Sequence, residues 1–75
     1  MNIQELERKI RNFSFDPSIK VDIDTNITEL LDSLAFVELV MDLESDLDIE
    51  LLDEELENIN TVKELLELVN NSIDI

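Results

Sequence analysis

From Leu34 to Leu47 the apolar residues recur every three or four positions, and they do so on two faces at once. At about 100° per residue, Phe36, Leu39, Val40, Leu43 and Leu47 gather into one stripe, and Leu34, Val37 and Met41 into another. Glu38, Asp42, Glu44, Ser45, Asp46 and Asp48 lie between and beside them. This pattern demands a helix from about Ser33 to Asp46. A small domain needs one such stripe for its core. The second is either covered by another element or left in water as an apolar strip rimmed by carboxylates, which reads as a docking surface.

Asp32 or Ser33 can cap this helix, because either side chain can accept a bond from an unpaired amide of the first turn. A serine hydroxyl there also faces the positive end of the helix dipole, where an attached phosphate is favoured. An Asp-Ser pair alone is an ordinary cap and identifies nothing.

The rest of the chain supplies partners for the core stripe. Asn2 with Glu5 makes a capping arrangement. Ile3, Leu6, Ile10 and Phe13 then predict a helix over about 2–13. Arg8, Lys9 and Arg11 lie in its second half, where cations complement the dipole; they either pair with acids elsewhere in the bundle or face solvent, and the second is the default expectation. From Ser14 to about Leu31 periodicity fails, with a turn at Asp16-Pro17. Val21, Ile23 and Ile27 give this long loop a patchy apolar spacing with no sustained period. The chain has no glycine, so Asn26 and Asp24 are the residues best suited to a positive φ in it. After a break near Asp48 to Leu52, Asp53 is placed as the cap of a short helix through Asn58. Thr61-Val62-Lys63-Glu64 is a capping box opening a last helix to about Asn71, with Val62, Leu65, Leu66 and Val69 inward. The fold class is therefore all-α: a small four-helix bundle, three longer helices plus a short third one, with a long first loop, in a single domain over 1–75.

Composition narrows the function. Twenty acids against five bases give a net charge of −15. That repels nucleic acid and anionic membrane surfaces, and favours proteins with basic surfaces. Without histidine or cysteine, serine-hydrolase, cysteine-protease and thiolate-metal sites cannot be assembled. Ser33 has no evident general base, which points to a modified serine rather than an activated nucleophile. The absence of cysteine fits a reducing compartment, and no apolar run approaches a membrane span. A cytoplasmic, complete, monomeric, non-enzymatic protein is expected. One rival comes from the acids: Asp42, Glu44, Asp46, Asp48, Glu50 and Asp53 fall on EF-hand ligand spacing. Leu47 stands where the loop needs glycine, and the last ligand is Asp rather than Glu, so no specific metal site is expected. A plain acidic adaptor is the other.

Asp32-Ser33-Leu34, Val37-Glu38-Leu39-Val40-Met41, Leu43-Glu44, and later Asp53-Glu54-Glu55 and Thr61-Val62 together resemble an acyl carrier protein, over about residues 27 to 70. The resemblance implies a long first loop crossing the bundle, with Val21, Ile23, Ile27 and Leu30 as its anchoring side chains, and a 4′-phosphopantetheine arm, drawn from coenzyme A, on Ser33. The arm's thiol would hold acyl intermediates of fatty acid, polyketide or related biosynthesis as thioesters. It implies partners too: a phosphopantetheinyl transferase, acyl- or aminoacyl-loading ligases, and synthase or transferase enzymes with basic docking surfaces. Asp32, Glu38, Glu44, Asp53 and Glu54 match the family's docking acids, and Leu34, Val37 and Met41 its apolar docking stripe. Phe36, Val40, Leu43, Leu47, Leu51, Leu56, Ile59 and Val69 are the candidates for lining an acyl cavity, with ordinary core as the alternative. Two departures matter. The glycine usual before Asp-Ser is missing, and Leu30-Leu31-Asp32-Ser33 is similar to D-alanyl carrier proteins, which makes an aminoacyl carrier for cell-wall or secondary-metabolite biosynthesis the alternative.

Overall fold

The computed structural model describes residues 1–14, 16 and 18–73. Among these, the helices are α1 (Ile3–Phe13), α2 (Ile27–Leu30), α3 (Ser33–Leu47), α4 (Asp53–Glu57) and α5 (Val62–Ile73). The four expected helices are present, and α2 is an additional turn inside what the sequence presents as loop. The expected turn at Asp16-Pro17 involves Pro17, which lies outside the described residues; Asp16 itself accepts bonds from the Ser18 amide at 3.0 Å and hydroxyl at 2.7 Å.

One core joins the helices. Leu6 and Ile10 of α1, Leu39, Val40 and Leu43 of α3, and Val62, Leu65 and Val69 of α5 are buried in a single cluster. Fully burying such a side chain contributes about 1.5–3 kcal/mol, and a chain this short has few of them to lose. Helix ends follow the sequence closely. Asn2 Oδ1 accepts the Glu5 amide at 2.9 Å. Thr61 Oγ1 accepts the Glu64 amide at 3.2 Å, while Glu64 Oε1 accepts the Thr61 amide at 3.0 Å, closing the capping box in both directions. Glu64 Oε1 also accepts the Asn60 amide at 3.0 Å. These amides, Thr61 first, hold the Glu64 carboxyl below the usual carboxylate range.

Four local expectations are corrected. Val21, Ile27 and Leu30 anchor the first loop as expected, but Ile23 is 45% exposed, and Leu31 is buried instead. The loop is fixed largely through backbone: the Ile27 amide donates to Asn60 O at 2.8 Å, Val62 to Thr25 O at 3.1 Å and Lys63 to Ile23 O at 2.9 Å. Ile23 thus contributes its carbonyl rather than its side chain. Asn26 has φ −70°, and the positive φ among the described residues falls on Asp48 (54°). Asp48 ends α3 in the left-handed conformation, its amide donating to Glu44 O; one of the residue types that tolerates this geometry takes the place of a glycine. Asp53 does not cap α4. Leu52 holds that position without a side-chain bond, and Asp53, Glu54 and Glu55 fill the first turn, where acids still suit the dipole. Finally, Lys9 does not simply face solvent: it reaches α3, 2.7 Å from Asp42 and 2.9 Å from Asp46.

Candidate functional site

Ser33 is the first residue of α3, and its cap is settled in favour of Asp32. Asp32 Oδ1 accepts the Ala35 amide at 2.8 Å, and Asp32 O accepts the Phe36 amide at 2.9 Å. The aspartate therefore does the capping and the serine side chain is left exposed. Leu30 and Leu31, both buried, pin the approach to it. Ser33 thus offers a primary hydroxyl to solvent at the positive end of a 15-residue helix, a setting that suits a phosphodiester.

The second stripe of α3 is uncovered. Leu34, Val37 and Met41 are 69%, 51% and 62% exposed, so apolar side chains begin one residue after the serine and continue along the outer face. Asp32, Glu38, Asp53 and Glu54 are exposed around them. Glu44 differs from the other expected docking acids. Its carboxylate is turned inward, accepting the Leu51 amide at 3.0 Å.

Between α3 and α4 runs a groove of about 320 Å³ lined by Phe36, Val37, Val40, Met41, Glu44, Leu51, Asp53, Leu56 and Glu57. Four of the eight cavity candidates, Phe36, Val40, Leu51 and Leu56, are on its walls. Leu43 and Val69 are instead fully buried in the core, and Leu47 and Ile59 pack against it. Glu57 also lines the groove without being among the expected residues; Asp53 and Glu57 are four apart on one helical face, and that spacing is the signal for it in the sequence. A larger hollow of about 510 Å³ lies between α1 and the first loop, but it contains no residue of the serine-bearing face.

The EF-hand arrangement is excluded by backbone geometry. Asp42, Glu44 and Asp46 lie on α3, which puts Asp42 and Asp46 on one face and Glu44 on the opposite one instead of folding all three about one point. Lys9 holds two of them and the Leu51 amide the third.

Residues 12–69 match the family model described as the phosphopantetheine attachment site. The acyl carrier protein of Thermosynechococcus vestitus is 38% identical over 97% of this chain and 98% of its own. The chain belongs to the acyl carrier protein family. The acyl carrier protein of Buchnera aphidicola subsp. Schizaphis graminum is 37% identical, over 92% of this chain and 95% of that one. The solution structure of the acetyl actinorhodin acyl carrier protein from Streptomyces coelicolor superposes with a TM-score of 0.78, at 24% identity, covering 97% of this chain and 91% of that one; it supports the fold. The protein is a phosphopantetheine-bearing acyl carrier, and membership implies work with partner enzymes. The curated relatives named are acyl carriers, so the aminoacyl alternative raised by Leu30-Leu31-Asp32-Ser33 is not favoured. Among the described residues no helix of this carrier is long and apolar enough to cross a membrane.

Proposed function

We propose that Ser33 Oγ is the attachment point of the 4′-phosphopantetheine arm, and that residues 1–75 act as one carrier domain. The observation that carries this reading is the division of labour at the start of α3: Asp32 satisfies the helix, and Ser33 stays exposed for modification. A phosphopantetheinyl transferase forms the phosphodiester at Oγ and breaks the pyrophosphate of coenzyme A, whose adenosine bisphosphate half leaves. The arm supplies a thiol that holds the acyl group as a thioester. The chain itself brings presentation rather than catalysis, in keeping with its lack of histidine and cysteine.

Asp32, Leu34, Val37, Glu38, Met41, Asp53 and Glu54 form the docking face, for the transferase and for loading, synthase and transferase enzymes with basic surfaces. The exposed apolar strip supports contact, and the charge of −15 supports steering of cationic partners. The groove walled by Phe36, Val40, Leu51 and Leu56 receives the acyl chain. A cytoplasmic setting fits the cysteine-free sequence, and a place in fatty acid, polyketide or related synthesis fits the acyl carrier relatives. The test is intact mass after incubation with coenzyme A and a transferase. The wild type should gain one arm and Ser33→Ala none, with helicity retained because the cap is Asp32. An arm on the alanine variant overturns the assignment.

A further inference from the structure

We infer that Glu44 is a positioning residue whose carboxylate latches the wall of the groove and sets how firmly a bound acyl chain is gripped. The inference rests on the reading of the groove as the site of that chain. Residues 48–52, between α3 and α4, form no helix, so their backbone amides need acceptors elsewhere. Glu44 supplies several of them. Its carbonyl accepts the amides of Asp48 and Ile49, the latter at 3.1 Å. Its carboxylate accepts the amide of Leu51 at 3.0 Å. Leu51, buried, stands on the groove wall with Phe36, Val40 and Leu56.

The walls are unequally free to move. α3 is held by Leu39 and Leu43 in the core, so its side of the groove is fixed. The 48–52 segment is held by the Glu44 bonds and by the side chains of Leu51, which is buried in the core, and Ile49, which packs against it. At about 320 Å³ the groove is near the lower end for ligand sites. A chain that lodges there works against the segment Glu44 holds. This role uses the carboxylate as a hydrogen-bond acceptor, whereas a docking role would use its charge, and glutamine separates the two: it keeps the acceptor oxygen and loses the charge.

The experiment has two readouts. Hydrogen exchange at the Leu51 amide, in the protein before arm attachment, reports the latch. Hydroxylamine cleavage of acetyl and octanoyl thioesters on the armed protein reports the grip, as the ratio of the two rates. In the wild type the Leu51 amide should be protected and octanoyl cleaved more slowly than acetyl. Glu44→Ala should expose the amide and move the cleavage ratio toward one, with about a tenfold change in the opening equilibrium, as for loss of one charge-assisted hydrogen bond. Glu44→Gln should restore both. Should the alanine variant not fold, Glu44→Asp, one methylene shorter, takes its place with the same expected losses. Unchanged Leu51 protection in the alanine or aspartate variant overturns the latch. Lost protection with an unchanged cleavage ratio overturns its link to cargo. A wild type that takes the arm but cleaves both thioesters alike removes the groove reading, and the inference with it, while leaving Ser33 in place.

Discussion

Lys9 Nζ lies 2.7 Å from Asp42 Oδ2, joining the second half of α1 to the middle of α3. The same ammonium is 2.9 Å from Asp46 Oδ2. Asp42 and Asp46 are four residues apart on one helix, a spacing at which like charges repel by a few tenths of a kcal/mol. In this carrier the repulsion is relieved by a lysine from a different helix. Hydrogen bonds to Asp42 first, then to Asp46, raise the Lys9 pKa above its ordinary value.

Removing the ammonium should therefore destabilise the fold and sharpen its response to salt. Lys9→Met is expected to cost about 1 kcal/mol at low ionic strength, less as salt rises. The wild type should also gain stability with salt and diffusely with divalent cations, since Glu38 and Asp42 remain a like-charge pair and the net charge is −15. A lysine with a raised folded pKa stabilises fully below its unfolded value of about 10.4, and the contribution disappears as pH climbs through the folded value. Melting curves of both proteins across salt and from neutral to alkaline pH decide it; equal salt slopes would rule the bridge out as an energetic feature.

Glu64 gives the opposite pH behaviour. Its folded pKa is lowered, first by the Thr61 amide and then by that of Asn60. Its contribution is present above the unfolded value of about 4.3 and is lost as pH falls through the lower folded one. Glu64→Gln should flatten that part of the acid-unfolding profile. A profile identical to wild type between neutral and acidic pH counts against the capping box as its source.

On the proposed docking face, stability and recognition should come apart. Val37→Ser removes an exposed apolar group and should change stability by no more than about 0.5 kcal/mol, yet slow arm transfer. Glu38→Lys should slow transfer chiefly through association rate, with the deficit shrinking as salt rises. Transfer kinetics at low and high salt test both. If Glu38→Lys matches the wild type at low salt, the acidic rim serves solubility alone.

Asp48 holds φ 54° without the freedom of a glycine. Asp48→Gly should stabilise the protein by about 0.5 kcal/mol through release of left-handed strain. Asp48→Asn, a residue that also tolerates this region, serves as the control for the lost charge. A glycine variant no more stable than the asparagine one would show that charge, not strain, is what matters there.

What the sequence revealed of this fold follows from how locally each feature is determined. α3 was legible because both of its apolar stripes repeat within one helix, and the exposed strip Leu34-Val37-Met41 came with them. The Thr61-Glu64 box was equally local. α2 was not, although Ile27 and Leu30 have helical spacing. Four residues cannot support a helix alone, and this turn leans on the bond from the Ile27 amide to Asn60 O. Lys9 was misplaced for the same reason, since its partners depend on how α1 packs against α3. The serine was visible in the motif, but that Asp32 rather than Ser33 caps α3 is a matter of hydrogen bonding that either residue type permits. Leu43, Leu47, Ile59 and Val69 do not border the groove, because helical periodicity marks what is apolar, not which apolar side chain borders empty space.

The stitching of the first loop to the start of α5 has a consequence in time. The Ile27 amide is satisfied by Asn60, and Ile23 and Thr25 accept the amides of Lys63 and Val62. The segment leading to Ser33 thus takes its shape from residues synthesised much later, and such distant contacts close only once the intervening chain exists. A chain ended at Asn58 should be a poor acceptor of the arm, and full-rate modification of it would contradict this ordering. On the ribosome, then, the serine should emerge early but become a finished substrate late, so that arming at the proposed site would wait on the completion of the fold.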